Sequence, residues 1–113
     1  MKEIKAIIRP SKLLEVTEEL QKIEGLPGVT VSEIKGFGKN RAKSAKDKIV
    51  YEMVDLIPRI KLEVVVNDEM ADEVVNAIQK YSHTGNTGDG KIFVVNVEDV
   101  VKIRTNERGE NAI

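Results

Sequence analysis

One stretch limits what this chain can fold into more than any other. After Pro58, the residues Ile60, Leu62, Val64 and Val66 alternate strictly with Arg59, Lys61, Glu63 and Val65. A period of two marks a strand with one face in a core, and β-branched residues suit a pleated surface. Asn67 follows at once, ahead of Asp68 and Glu69. A side-chain acceptor followed by carboxylates is how a helix begins, because the first N–H groups lack partners and the dipole favours negative charge there. Ala71, Val74, Val75 and Ile78 then recur at helical spacing as its buried stripe.

The first third of the chain has the same order. Ile4, Ala6 and Ile8 alternate with Glu3, Lys5 and Ile7, and Pro10 stops that strand. Ser11 is placed to cap a helix carrying Leu13, Val16, Leu20 and Ile23 on one face, which residues 25–28, with Pro27 between two glycines, bring to an end. VTVSEIKGF reads as a second strand closing at Gly36 and Gly38. After the glycine-rich SHTGNTGDGK come a strand IFVVNV, a last strand VVKIRT and a polar tail over residues 105–113. The expected fold is α+β, a ferredoxin-like βαββαβ sandwich with both helices on one face of an antiparallel sheet and a C-terminal extension. Ile7 and Val65 fall on the other face, where other subunits are expected to cover them.

Residues 39–55 fit neither period, and five Lys or Arg residues precede Ile49. They read as a long exposed loop, and a loop of that length in a small domain is usually functional or disordered. At 113 residues the whole chain, 1–113, is expected to form one domain. The formal net charge of -1 supplies no overall attraction to nucleic acid or an anionic membrane. There is no cysteine, which removes disulfides and thiolate metal sites, and the single His83 cannot build a multi-histidine site, so no metal centre is expected. No apolar run suggests a signal peptide or a membrane insertion, and the expected location is cytoplasmic.

Gly85, Gly90 and Lys91 match the spacing of a phosphate-binding P-loop, but Ile92 follows the lysine and a strand begins where a P-loop would open a helix. The P-loop NTPase reading fails on that ground. Glycines that let N–H groups approach a polyphosphate, next to a lysine, still fit an anion site, and a plain glycine-rich turn fits equally well. Lys102 and Arg104 flank Ile103 and, on a strand, would point the same way, as an anion-binding pair or a solvated edge. His83 has no partner for a nucleophilic triad, and Glu63 and Asp89 stand as isolated carboxylates, so no catalytic constellation is expected. RNA binding by residues 39–48 would want clustered aromatics, and Phe37, Tyr51, Tyr81 and Phe93 are scattered.

TGNTGDGKIFVVNV followed by VKIRTNERGENAI resembles the C-terminal signature and tail of the PII signal-protein family. The opening KEIKAIIRPSKL, the strand end GVTVSEIKGFG and the strand LIPRIKLEVVV extend that resemblance along nearly the whole chain. The resemblance implies a homotrimer of ferredoxin-like subunits with ATP or ADP, with or without Mg2+, in clefts between them as effector and not as catalytic cofactor. It implies that Gly36, Phe37, Gly38 and Lys39 form the base of a T-loop over about residues 39–55 beside the nucleotide. Gly28, Val29, Thr30 and Val64 would lie on the adenine side. Gly88, Asp89, Gly90 and Lys91 would form a phosphate-binding B-loop within about residues 84–91, and Lys102 and Arg104 would reach the phosphates across a subunit boundary. Asn40 and Arg59 stand where many members hold 2-oxoglutarate through a glutamine and a lysine. Asparagine is shorter and arginine has a different geometry, so oxoglutarate sensing is not expected. Glu52 takes the place of the tyrosine that bacterial members uridylylate, with Tyr51 one residue earlier, so that modification is not expected either. The implied mechanism is docking of the T-loop to an unidentified target protein under nucleotide control; slow ATP hydrolysis, or an RNA-binding or metal-tolerance module on the same fold, are the alternatives.

Overall fold

A computed structural model describes residues 1–38 and 56–113; the expectations placed on residues 39–55 lie outside them. β1 (Lys2–Ile8) leads through a 3-10 turn at Pro10–Lys12 into α1 (Leu13–Gln21), followed by β2 (Thr30–Gly36), β3 (Ile57–Val66), α2 (Asp68–Ser82) and β4 (Lys91–Asn96). The four strands form one sheet in the order β2-β3-β1-β4, and every neighbouring pair is antiparallel. This is the expected βαββαβ arrangement.

The register follows from the alternation. Ile4 lies opposite Val64, Ala6 opposite Leu62 and Ile8 opposite Ile60, so the apolar sets of β1 and β3 share a face. A shift of one residue would move every one of them to the other side. Val16 and Leu20 of α1 and Val74 and Ile78 of α2 close over that face in a single buried cluster. Each fully buried Val, Leu or Ile contributes about 1.5–3 kcal/mol relative to exposure. Val75, expected in the stripe, packs at the cluster's margin.

Asn67 caps α2 as expected, its side chain accepting from the N–H of Met70 at 3.1 Å. Ser11 does not cap α1. Pro10 fixes a turn-compatible φ and starts the 3-10 turn, Lys12 N–H donates to the Arg9 carbonyl at 3.0 Å, and the chain enters α1 with Lys12 already helical. No extended residue is left at that point to present a side-chain oxygen.

The last strand expected at VVKIRT is also absent. Val101 makes one isolated bridge, with Arg108, and residues 102–107 close on themselves: Lys102 N–H donates to the Glu107 carbonyl at 2.9 Å and Asn106 N–H to the Lys102 carbonyl at 2.7 Å. Asn106 adopts φ 60°, a left-handed conformation that asparagine tolerates better than most residues, and the β-branched run is overruled by the turn. Asp99 secures the base of this hairpin by accepting from Val100 and Gly109 N–H. Ile103 is left 98% exposed at its tip.

The sheet's open face carries Lys5, Ile7, Arg59, Lys61, Glu63 and Val65 half-buried, with Phe93 and Val95 exposed. No helix among the described residues is long and apolar enough to cross a membrane. The cap assignments give a direct check by urea unfolding. Asn67→Ala should cost about 1 kcal/mol, while Ser11→Ala should change stability by no more than about 0.5 kcal/mol.

The glycine loop and its basic cavity

Antiparallel pairing of β4 with β1 sets Lys91 opposite Ile7, so the loop between α2 and β4 must lie beside the end of β1. That loop is closed by Asp89. Its carboxylate accepts from the N–H of Thr84 at 2.8 Å, the N–H of Gly85 at 2.9 Å and the Thr84 hydroxyl, and from Arg9 Nε at 3.1 Å. The Thr84 hydroxyl and N–H, with smaller contributions from Gly85 and Arg9, hold the Asp89 carboxyl well below the usual carboxylate range, against the opposing effect of desolvation. A depressed folded-state value means that this contribution to stability is fully present above the ordinary value of 3.8 and is lost only as the pH falls well below it. Asp89, expected among the nucleotide contacts, has its carboxylate engaged within the loop.

Gly85, Gly88 and Gly90 all have positive φ. At Gly90 a side chain is also excluded by space, since a Cβ would run into the backbone carbonyl of Ile7. Gly88 lies under two guanidinium groups: a Cβ there would sit 3.1 Å from Arg9 Nη2 and 3.2 Å from Arg59 Nη2. Arg9 is held in place by Asp89 and by donation from Nη2 to the Thr87 carbonyl at 2.8 Å. Arg59 donates to the adjoining Pro58 carbonyl, and among the described residues neither it nor Lys91 forms an ion pair. Unpaired cations beside left-handed glycines are an anion-binding arrangement.

Gly36, Phe37 and Gly38 at the end of β2 join Gly88, Gly90, Lys91 and Arg59 around one cavity of about 300 Å³, with Ile7, Ile34 and Phe93 as apolar walls. Two expected groups, far apart in sequence, therefore meet. Gly28, Thr30 and Val64 border a different depression of about 360 Å³, beside Glu63. The Val64 side chain points into the core, so this border is made by the strand itself. Val29 faces the α1 side, where with Gly28 and Leu20 it lines a third cavity of about 490 Å³. Thr30 and Gly36 stand at opposite ends of β2, roughly 20 Å apart at about 3.3 Å per residue. A single chain therefore does not bring the two groups into one cavity.

Lys102 and Arg104 border none of these three cavities. They belong to the hairpin, where Lys102 Nζ lies 3.9 Å from Glu107, and the same-face alternation expected of them fails because no strand forms there. Lys39 and Asn40 lie outside the described residues. Arg9 was not singled out by sequence reading. Its signal was topological: once β4 is placed beside β1, a cation at the end of β1 must face the glycine loop. His83 rests against Gly85, and among the described residues no acidic or histidine cluster could hold a metal ion. Gly90→Ala should cost at least about 2 kcal/mol in urea unfolding, from left-handed strain plus collision with Ile7, whereas Gly28→Ala, where a Cβ meets open space, should cost under about 1 kcal/mol.

Comparisons with known proteins agree with this architecture. The family model described as nitrogen regulatory protein P-II matches residues 1–107. The chain is 50% identical to the nitrogen regulatory protein P-II of Rhizobium meliloti (strain 1021) and 48% identical to that of Azospirillum brasilense, over all 113 residues and the full length of both. Among solved structures, Arabidopsis thaliana PII bound to citrate superposes with a TM-score of 0.79 at 38% identity, covering 99% of this chain and 91% of that one. With end-to-end matches of this kind and the same four-stranded α+β fold, the chain belongs to the family of P-II nitrogen regulatory signal proteins.

Proposed function

We propose that this protein senses adenine nucleotides and signals by docking to another protein, without catalysing a reaction. One observation carries the reading: the end of β2 and the glycine loop meet at a cavity where Arg59 and Lys91 have no carboxylate partner among the described residues. A polyphosphate supplies the missing charge, with the N–H groups of Gly88 and Gly90 as further donors. The working form is a homotrimer in the cytoplasm. ATP or ADP, with or without Mg2+, lies between subunits, its phosphates on Gly88, Gly90 and Lys91 and its base on Gly28, Thr30 and Val64 of a neighbour. Burial of Ile7, Val65, Phe93 and Val95 on association supports the oligomer, because these residues leave one sheet face apolar in patches and uncovered. In that assembly Lys102 and Arg104 act from the hairpin on a neighbouring subunit's ligand.

Signalling follows from position. Gly36, Phe37 and Gly38 border the cavity and run directly into residues 39–55, so a ligand that distinguishes loop conformations shifts their populations and with them the docking to a target protein. Moving such an equilibrium from 1:99 to 99:1 requires a difference in affinity of about 10⁴-fold, or about 5.5 kcal/mol, between the two states.

The convergence of Arg9 and Arg59 on Gly88 favours a second reading, in which a small polycarboxylate occupies the same cavity as effector. The Arabidopsis relative was solved bound to citrate, which is in keeping with this. Arginine forks accept carboxylates bidentately, so the departure from lysine at position 59 alters the geometry and leaves the charge in place.

Calorimetric titration with ATP and ADP tests the proposal. Both should bind the wild type, and Lys91→Ala should weaken them at least tenfold, about 1.4 kcal/mol for a lost charge-assisted contact. Unchanged affinity in the variant, or steady phosphate release from ATP, would overturn it.

A further inference from the structure

Residues 109–113 turn back onto the body of the subunit. Gly109, at φ 77°, reverses the chain, and its N–H donates to the Val100 carbonyl at 2.9 Å and to Asp99 Oδ1 at 3.0 Å. A 3-10 turn at Gly109–Ala112 follows, and Ala112 is only 6% exposed. This buried alanine fixes Ile113, which reaches the depression bordered by Gly28, Thr30 and Val64 and faces it together with Pro27 and Val65. The depression keeps about 360 Å³ with Ile113 in place. That is within the range of roughly 300–1,000 Å³ typical of small-molecule pockets, so Ile113 forms a wall and does not fill the space.

From this placement we infer that Ile113 is a ligand-contacting residue: its side chain forms an apolar wall of the base-side pocket, packing against the flat ring of the nucleotide. The inference rests on the nucleotide reading above and extends its base-side pocket to a segment remote in sequence from Gly28, Thr30 and Val64. The chemistry fits a purine. Ile113, Pro27 and Val65 offer apolar surface to a ring, while the Thr30 hydroxyl and Glu63 carboxylate, cross-strand neighbours in the sheet, offer polar groups to its edge. The hairpin at Val101 and Arg108 and the Asp99 hydrogen bonds hold the tail in place before any ligand arrives. The wall is therefore largely preformed, which limits the ordering cost of binding.

The test is calorimetric titration of the full chain with ATP, for wild type, Ile113→Ser and Ile113→Ala, with a thermal melt of each. Ile113→Ser should weaken ATP about 3- to 10-fold, from the lost apolar contact of several carbon atoms, and leave the melting temperature within a degree or two. Should the serine variant lower the melting temperature, Ile113→Ala decides: at least threefold weaker ATP binding supports the wall. ATP binding unchanged in both variants would overturn the inference, and so would tighter binding, which would make the tail an obstruction. If wild type binds ATP and Lys91→Ala does not, while both Ile113 variants match wild type, this inference alone fails. If wild type does not bind ATP, the nucleotide reading fails and takes this one with it.

Discussion

The proposed function depends on how closely the glycine loop approaches the end of β1. Gly90 lies so near the Ile7 carbonyl that no side chain fits, and Arg9, two residues further along the chain, clamps the same loop through Asp89 and Thr87. Antiparallel pairing of β1 with β4 fixes where the loop ends, and the Asp89 hydrogen bonds fix how it closes. The loop is thereby preorganised at the edge of the sheet. Its N–H groups and Lys91 need no rearrangement to meet an anion, which is the cheapest way to bind one.

Once the loop is placed, the rest of the site is a consequence of strand order. β3 lies between β1 and β2, so Arg59 falls between the glycine loop and the end of β2. Gly36, Phe37 and Gly38 complete the cavity and lead into residues 39–55. A ligand at this point touches both a rigid loop and the root of a long connection. The proposed signalling rests on that juxtaposition: a change of charge in the cavity would act directly on the segment's anchor. The depression at the far end of β2, with Thr30 and Ile113, lies too distant to share a compact ligand with Lys91 on one chain, and a site using both calls for a second copy.

Much of this was legible in the sequence where a regular period met a core. The alternations at Ile4, Ala6 and Ile8 and at Ile60, Leu62, Val64 and Val66 fixed strands and faces together, since a period of two assigns both. Asn67 was legible because capping is local chemistry. Ser11 misled because Pro10 opened a 3-10 turn one residue earlier, and VVKIRT misled because strand propensity gave way to a turn held by Asn106, Glu107 and Asp99. In the site, Gly90 and Lys91 could be read from their spacing. Arg9 could not, because its place exists only through β1–β4 pairing, and the closing of the loop by the Asp89 carboxylate likewise left no local pattern. Neighbourhoods formed only in space, such as Ile113 bordering the same depression as Gly28 and Thr30, leave no local pattern in a sequence.

The most direct measurement is a crystal structure of the protein grown with saturating ATP. The account predicts phosphate oxygens within about 3 Å of the Gly88 and Gly90 N–H groups and of Lys91 Nζ, with the base on Gly28 and Thr30 of a second copy. Phosphates bound away from the glycine loop, or ATP held wholly by one chain, would contradict it.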